Sequence, residues 1–230
     1  MRWTVLIPVK SLPGAKSRLA RRGDDGRAHA RLVEAIRADT IAAVLACPQV
    51  ARAVLVTDRV PDRVPDRVPD RASARAVPRG TEVVVQRSPG LNGGLRDAAQ
   101  EAARRWPDDG VAALVADLPA LRAEELSQAL RSAQMAGGFV RDHAGTGTTL
   151  LAAAPGTQLA PQFGPGSAHR HGATAPELPA GAGLRHDVDT PDDLERAVEI
   201  GVGPATRAAL APGIRPDDVT RSSDFGMMPS

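Results

Sequence analysis

The sequence predicts one α/β domain whose central, mostly parallel sheet lies between two layers of helices. Short runs rich in valine, leucine and isoleucine alternate with segments whose apolar residues recur at helical spacing. The run at 111–116 contains no polar residue, as expected for a central strand covered by helices on both faces. The chain of 230 residues has the length of one large domain. We therefore expect a single domain over 1–211.

The elements are expected in the following order. A short β-rich run at 3–9 indicates a buried first strand. Apolar residues at helical spacing predict a helix from 25 to about 46, which ends before Pro48. The remaining elements are strands at 50–56 and 82–85, a helix at 94–106, the central strand at 111–116, a helix at 122–135, strands at 138–142 and 147–153, a loop-rich stretch to about 183, and a strand and helix within 187–200.

Two segments do not follow this pattern. Residues 59–70 hold three copies of Arg-Val-Pro-Asp, and a proline at every fourth position excludes a helix or an interior strand. We interpret them as an extended surface insertion, with a proline-rich ligand for another protein as the alternative. Residues 212–230 are polar and interrupted by proline and glycine, which is typical of a mobile tail.

Composition excludes several classes of protein. The single cysteine, Cys47, excludes a disulfide framework and a cysteine-rich metal site, and we expect it to be a small buried side chain at a helix end. Nucleic acid is not expected as a partner, because the net charge is +2, aromatic residues make up 2% of the chain and tyrosine is absent. No signal peptide or bilayer-spanning run is recognisable, which predicts a soluble, cytoplasmic protein without a membrane partner.

Both lysines of the chain, among 29 basic residues, lie in the loop after the first strand. Lys10 and Lys16 are accompanied there by Gly14 and Arg18, and the loop leads into a helix, a combination suited to binding phosphates. The G-x-x-x-x-G-K-[ST] spacing of a Walker A loop is absent. The alternative is a chance cluster of two lysines in a solvated loop.

Carboxylates follow the predicted strands. Ligands of parallel sheets bind beyond the carboxyl ends of the strands, where Asp117 follows the central run. In a strand-like Asp187-Val188-Asp189 the two carboxylates would project from one face and could complete a Mg²⁺ site with Asp117. As alternatives, Asp117 could be an acid near a helix start, and Asp189 or Thr190 could cap the next helix, but neither accounts for Asp187.

Two segments rich in glycine and hydroxyl groups, GTGTT at 145–149 and FGPGS at 163–167, offer donors for phosphate or carboxylate groups. Hairpin turns use the same residues, so each segment alone is a weak signal. Combined with the cationic loop and the three carboxylates, they predict a phosphorylated substrate, a nucleotide and a divalent metal.

These motifs together resemble the guanylyltransferases that make the activated phospho-acid precursor of coenzyme F(420). That family uses GTP with phosphoenolpyruvate or 2-phospho-L-lactate. The resemblance covers nearly the whole chain, and six motifs carry it in order: 7–10 with 15–19, 90–92, 117–121, 145–148, 163–167 and 187–191. It implies a three-layer α/β/α nucleotidyltransferase fold of the nucleotide-diphospho-sugar transferase, GT-A-like type, in agreement with the predicted elements.

The resemblance also implies roles for individual residues in an Mg²⁺-dependent transfer of GMP to phosphoenolpyruvate. The product would pass to the next transferase of the pathway. Three positions depart from the family pattern: Gly166, the insertion at 59–70, and Gly93-Gly94, which we expect to loosen a helix start. The implied sites are phosphoenolpyruvate at Thr148, Gly164 and Ser167; Mg²⁺ at Asp117, Asp187 and Asp189; the GTP phosphates at Lys10, Lys16 and Arg18, which with Asp117 form the catalytic set; and the nucleoside at 87–92, including Gly90, Leu91 and Asn92.

The acceptor stays open at this stage, because phosphoenolpyruvate and 2-phospho-L-lactate present the same phosphate and carboxylate. We favour phosphoenolpyruvate, since the arginine-rich composition resembles that of bacterial members of the family. The other candidates are a molybdopterin-type nucleotidyltransferase, a GT-A sugar transferase and a catalytically inactive GTP-binding module. Neither the oligomeric state nor the number of metal ions is predicted.

Overall fold

A six-stranded sheet forms the centre of the computed structural model, which describes residues 1–9, 26–58 and 81–211. The strands are β1 (Trp3–Val9), β2 (Val50–Thr57), β3 (Thr81–Val85), β4 (Gly110–Leu114), β5 (Gly138–Arg141) and β6 (Thr148–Ala153). Their order across the sheet is β3-β2-β1-β4-β6-β5. The first four strands are parallel, and β6 is antiparallel to both β4 and β5. The mostly parallel sheet predicted from the sequence is confirmed.

Helices cover both faces of the sheet. The helices are α1 (Gly26–Ala46), α2 (Gly90–Arg105), α3 (Ala123–Ser132), α4 (Ser167–Gly172), α5 (Ala182–Arg185), α6 (Pro191–Ile200) and α7 (Pro204–Leu210). Side chains alternate along β1, so that Val5 and Ile7 pack with residues of α1 and α3, while Leu6 packs with residues of α2 and α4. This alternation produces the three layers α/β/α.

The central strand β4 is buried along its whole length. It pairs with β1 on one side in parallel and with β6 on the other in antiparallel orientation. The continuous apolar run therefore marked the strand that lies inside the sheet and under helices on both faces. Cys47 directly follows α1 and is buried, as the sequence predicted.

The start of α2 differs from the prediction. The helix begins at Gly90 rather than at 94, so that Gly93 and Gly94 lie within its first turns. A Cβ atom at Gly94 would lie 2.5 Å from Oε1 of Gln86, and one at Gly93 would lie 3.0 Å from Cβ of Ser88. The predicted start at 94 was wrong, and the two glycines allow the helix to approach the turn after β3 closely. That they loosen the helix stays a prediction.

The predicted strand near 187 was also wrong. Residues 186–189 have no regular secondary structure, since the N–H of Val188 donates to the carbonyl of Asp117 and not to a strand of the sheet. The helix predicted at 122–135 ends earlier, at Ser132. The segments outside the core pattern also contain three short helices that the sequence did not predict: α4, α5 and α7.

Several predicted features lie outside the described residues. They are Lys10, Lys16 and Arg18, the Arg-Val-Pro-Asp repeat at 59–70 and the tail at 212–230. Within the described ranges, no helix combines the length and the apolar character that crossing a bilayer requires.

Candidate active site

A cavity of about 180 Å³ opens beyond the carboxyl ends of β1 and β2. Such a position is the usual ligand site of an open parallel sheet. Gly90 and Leu91, two of the residues predicted to bind the nucleotide, line this cavity at the start of α2. The other lining residues are Pro8, Val9, Val56, Asp58 and Gln86. Asn92, the third predicted residue, is not among the lining residues.

The side chain of Asn92 instead connects α2 to the segment after β6. Its amide nitrogen donates to the carbonyl of Phe163 at 3.0 Å, and its Oδ1 accepts from the N–H of Phe163 at 2.8 Å. A side-chain amide that makes both bonds to one backbone residue fixes that residue in position. Asn92 therefore couples the wall of the cavity to the glycine-rich segment 163–167.

The carboxylates predicted to bind metal lie beside the end of β4. The N–H of Val188 donates to the carbonyl of Asp117 at 3.0 Å, which places Asp187 and Asp189 on either side of this contact. The loop after β4 is held by further bonds, because Leu118 donates to Oγ1 of Thr40 at 3.0 Å and Gly203 donates to the carbonyl of Pro119 at 2.9 Å. Backbone contacts thus bring the two separate carboxylate motifs together.

The helix-cap alternatives can now be decided. Thr190 is the N-cap of α6, where its Oγ1 accepts from the N–H of Asp193 at 3.2 Å. The N-cap of α3 is Arg122, so Asp117 does not cap that helix. Capping therefore accounts for Thr190 but for neither Asp117 nor Asp187.

Negative charges are crowded around Asp187. Burial, followed by the charge of Asp117, raises the pKa of Asp187 to about 6, and Asp189 and Asp142 contribute in the same direction. Nδ1 of His143 lies 3.5 Å from Oδ1 of Asp187. A bound divalent cation would relieve this repulsion, and carboxylate oxygens are ligands that Mg²⁺ prefers.

The three carboxylates suit Mg²⁺ in their chemistry and charge, but their positions do not form a complete coordination shell. Across 1–9, 26–58 and 81–211, no three His, Cys, Asp or Glu side chains converge closely enough to hold an ion as they stand. Metal binding by Asp117, Asp187 and Asp189 thus stays a prediction.

A second polar cluster contains two of the residues predicted to bind phosphoenolpyruvate. Thr148 begins β6, Ser167 begins α4, and the Ser167 hydroxyl donates to Oγ1 of Thr148 at 3.1 Å. Nδ1 of His171 lies 2.9 Å from the same Oγ1, and the N–H of Gln162 donates to Nε2 of His171 at 3.0 Å. The side chains are buried, with exposed fractions of 6% for Thr148 and 1% each for Ser167 and His171.

Gly164 lies in an exposed loop above this cluster, with φ at +124°, a conformation that favours glycine. The guanidinium of Arg170 donates to the carbonyls of Gln162 and Pro165, at 2.9 and 2.8 Å. The N–H of Ser167 donates to the carbonyl of Gly164 at 3.0 Å. With the bond from Asn92 to Phe163, four successive carbonyls of the loop are bound by the protein itself.

This arrangement favours an anionic ligand. Because the loop carbonyls at 162–165 already accept hydrogen bonds, the donors that this cluster offers to a ligand are mainly the hydroxyls of Thr148 and Ser167. The same donors suit a phosphate or a carboxylate. The predicted residues Thr148, Gly164 and Ser167 are brought together in one place.

The polar cluster of Thr148, Ser167 and His171 and the carboxylates of Asp117, Asp187 and Asp189 lie at the same end of the sheet. Leu114, the last residue of β4, pairs with Leu150 near the start of β6, and the N–H of Val115 donates to the carbonyl of Thr149 at 3.0 Å. Because β6 is antiparallel to β4, its first residue, Thr148, lies near the loop that carries Asp117. One pair of strands therefore positions both clusters.

Sequence reasoning missed His171, Arg170 and Thr40, which hold the predicted residues in place. A signal existed for His171, since it follows Ser167 by four residues on α4 and so lies on the same face. The contact between Asn92 and Phe163 joins residues 71 positions apart, and no local sequence pattern predicts it.

The relatives of this chain are consistent in name. The chain is 48% identical over 221 residues to the phosphoenolpyruvate guanylyltransferase of Geodermatophilus obscurus, covering 93% of this chain and 96% of the relative. The enzyme of the same name from Streptomyces coelicolor is 44% identical over 215 residues, covering 92% and 97%. That of Nocardia farcinica is 46% identical over 208 residues, covering 89% of each chain. No family model matches the chain.

Solved structures agree with the fold. A candidate nucleotide-diphospho-sugar transferase from Desulfovibrio desulfuricans superposes with a TM-score of 0.58 at 16% identity, covering 91% of this chain and 99% of that one. The 2-C-methyl-D-erythritol 4-phosphate cytidylyltransferase of Francisella tularensis gives a TM-score of 0.51 at 14% identity, covering 87% and 100%. The nucleotidyltransferase type of three-layer fold expected from the sequence is confirmed.

Proposed function

The chain belongs to the phosphoenolpyruvate guanylyltransferase family, and from this premise we propose that it transfers the guanylyl group of GTP to phosphoenolpyruvate. The products are enolpyruvoyl-2-diphospho-5'-guanosine and pyrophosphate. The observation that carries the proposal is the donor cluster of Thr148 and Ser167 under the Gly164 loop, beside the end of β4. This cluster is suited to a small anionic acceptor.

The two substrates occupy different parts of the site in this proposal. The cavity beyond β1 and β2, with Gly90 and Leu91 in its wall, takes the nucleoside of GTP. Thr148, Gly164 and Ser167 bind the phosphate and carboxylate of phosphoenolpyruvate. Asn92 keeps the two parts in register through its bonds to Phe163.

The reaction is an in-line displacement. A phosphate oxygen of phosphoenolpyruvate forms a bond to the α-phosphorus of GTP, and the bond from that phosphorus to the bridging oxygen of pyrophosphate breaks. The attacking oxygen is already anionic at neutral pH, so the step needs no general base. Catalysis by this chain then consists of holding the acceptor and orienting it toward the nucleotide.

Two groups of residues would neutralise the negative charge of the substrates: carboxylates that hold Mg²⁺ and basic side chains that contact the triphosphate. Asp117, Asp187 and Asp189 would hold Mg²⁺, which when bound would offset the negative charge of the phosphates. Lys10, Lys16 and Arg18, which lie outside the described residues, are proposed from the sequence to contact the triphosphate.

The test is pyrophosphate release from GTP in the presence of phosphoenolpyruvate and Mg²⁺, with the product identified by mass spectrometry. We expect release to depend on the acceptor. Equimolar phosphoenolpyruvate and 2-phospho-L-lactate in competition should give mainly the enolpyruvoyl product, whereas mainly the lactyl product would reassign the acceptor.

No release with either acceptor would overturn the proposal. If GTP then still bound in a calorimetric titration, the chain would be an inactive GTP-binding module.

The product carries an activated phosphoanhydride, so we place the enzyme before a further transferase in coenzyme F(420) biosynthesis. A cytoplasmic location, where GTP and phosphoenolpyruvate are available, is part of the same proposal.

A further inference from the structure

The buried side chain of His171 has a definite hydrogen-bonding pattern. The backbone N–H of Gln162 can only donate, and it lies 3.0 Å from Nε2 of His171. Nε2 must therefore be the unprotonated, accepting nitrogen of the ring. In a neutral imidazole the hydrogen then resides on Nδ1, which lies 2.9 Å from Oγ1 of Thr148. His171 is consequently a hydrogen-bond donor to Thr148.

The surroundings of the ring keep it neutral. His171 is 1% exposed, and its ring packs against those of Phe163 and Phe139, with centroid separations of 5.3 and 6.2 Å. Burial, followed by the positive charge of Arg170, lowers the pKa of His171. A second proton on Nε2 would also face the donating N–H of Gln162.

The hydrogens of the cluster can then be counted. Thr148, Ser167 and His171 supply one hydrogen each. Oγ1 of Thr148 accepts two of them, from Nδ1 of His171 and from the hydroxyl of Ser167. The hydroxyl hydrogen of Thr148 is left over for an acceptor outside the cluster. If the two hydroxyls exchange roles, the hydrogen of Ser167 is left over instead, so one hydroxyl hydrogen remains in either case.

The other tautomer would have the opposite effect. With the hydrogen on Nε2, Nδ1 would accept from the hydroxyl of Thr148, and Ser167 would donate to the oxygen of Thr148. No hydroxyl hydrogen would then remain for a ligand. The bond from Gln162 excludes this state, and it thereby decides whether the Thr148–Ser167 pair can donate.

We propose that His171 is a positioning residue of the acceptor site, which directs one hydroxyl hydrogen of the Thr148–Ser167 pair toward a phosphate or carboxylate oxygen of the acceptor. This role rests on the proposed function, in which the pair binds phosphoenolpyruvate. His171 does not touch the acceptor. It acts through Thr148, because its Nδ1–H donates to one lone pair of Oγ1. This bond fixes the direction of the Thr148 hydroxyl hydrogen, which would otherwise be free to rotate.

Two substitutions separate this role from packing. In H171Q the terminal amide oxygen can take the place of Nε2 and accept from Gln162, but no group replaces the donor at Nδ1. In H171N the side-chain amide nitrogen takes the place of Nδ1, and the partner of Gln162 is lost. H169Q makes the same chemical change at an exposed position of α4 and serves as the matched control.

We expect H171Q to raise the KM for phosphoenolpyruvate about tenfold, the usual effect of weakening a hydrogen bond to a charged ligand, and to leave the KM for GTP within about twofold. H171N should recover part of the loss, and H169Q should match the wild type. An equal rise of both KM values, a KM for phosphoenolpyruvate within about twofold of wild type in H171Q, or no difference between H171Q and H171N would overturn the proposal.

The tautomer is measured independently of activity. Long-range ¹H–¹⁵N spectra of the full chain, assigned with H171Q, should show His171 protonated at Nδ1 and unprotonated at Nε2 at about pH 7.5. A hydrogen on Nε2 would overturn the inference. Absence of pyrophosphate release by the wild type would instead overturn the proposed function, so the two failures are distinguishable.

Discussion

At the scale of single residues, Asp117 is where the two carboxylate motifs meet. It follows the buried strand β4, and its carbonyl accepts from Val188. After burial, its negative charge is the next cause that raises the pKa of Asp187. Local sequence could place Asp117 at a strand end, but the pairing with the segment around Val188 spans some 70 residues of chain and follows only from the fold.

We expect Asp117→Asn to lower kcat/KM by about a hundredfold or more, because it would remove a charged ligand of the metal. The melting temperature should not fall, since the change also relieves the repulsion of Asp187. Pyrophosphate release and thermal unfolding measure the two effects. Asp192→Asn, on the exposed side of α6, is the control. Activity within a few-fold of wild type would exclude Asp117 as a metal ligand.

His171 leads to a prediction on pH. Because burial and Arg170 lower its pKa from 6.5, the unfolded chain binds a proton at this position at a higher pH than the folded chain does. The contribution of the neutral ring to the free energy of unfolding is therefore complete above pH 6.5 and is lost as the pH falls below it.

The measurement is urea denaturation of wild type and H171Q. The difference between their free energies of unfolding should shrink between about pH 7.5 and about pH 5.5, because only the wild type carries the titrating group. A difference that stays constant over this range would show that His171 is not held neutral in the folded chain.

At the scale of elements, α2 and the loop at 162–166 behave as one unit through Asn92. We expect Asn92→Ala to reduce the free energy of unfolding by about 1–3 kcal/mol, because it leaves the N–H and carbonyl of Phe163 without their partner. The KM for phosphoenolpyruvate should rise more than the KM for GTP, since the loop carries Gly164. Asn92→Asp, which keeps only the accepting oxygen, should destabilise the protein as well. A change in the KM for GTP alone would show that Asn92 contributes to nucleotide binding, as the sequence predicted.

The helix α7 is attached to α1 by a buried carboxylate. Asp39 of α1 accepts from the N–H groups of Ala205 and Thr206, at 3.0 and 2.7 Å, and thus caps the first turn of α7 from a distant part of the chain. We expect Asp39→Ala to lower the free energy of unfolding by about 1–2 kcal/mol and to leave both KM values unchanged. Chemical denaturation and steady-state kinetics test this expectation. A changed KM would show that α7 contributes to the site.

How far local patterns reach is visible in these elements. The runs that became β1, β2 and β4 were recognisable because strands inside a sheet that helices cover on both faces are mostly apolar. The early start of α2 was not recognisable from the sequence, because two successive glycines are typical of a loop. Their place in the helix follows from the close approach of Gln86, which the sequence does not reveal. The segment at 186–189 has the composition of a strand end, but its backbone bonds to the loop after β4 and not to the sheet.

At the scale of the whole molecule, the candidate site is collected from both halves of the chain. The ends of β1 and β2 and the start of α2 form the cavity, whereas β6 and α4 carry Thr148 and Ser167, and the loop after β4 and the segment at 186–189 carry the carboxylates. Motif spacing predicted a set of residues for the site, and the structure brings part of that set together. Motif spacing could not predict their mutual contacts, because these depend on which strand lies beside which.

Metal removal tests the assembled site. We expect EDTA to abolish pyrophosphate release and Mg²⁺ to restore it, because clustered carboxylates and anionic substrates repel each other without a cation. Ca²⁺, with longer bonds and a less strict geometry, should restore much less. An undiminished rate after exhaustive chelation would show that the reaction does not require the ion.

The reversed direction of β6 has a consequence for how acceptor choice can change. Since β6 enters the sheet from the end at which β4 leaves it, the residues proposed to bind the acceptor lie on one contiguous stretch, 138–172, which follows the residues that line the cavity. We predict that this stretch can be exchanged between homologues, provided that Asn92 still contacts the backbone of residue 163. We expect a chimera built in this way to accept another phospho-acid with an unchanged KM for GTP, and steady-state kinetics with both substrates measure this.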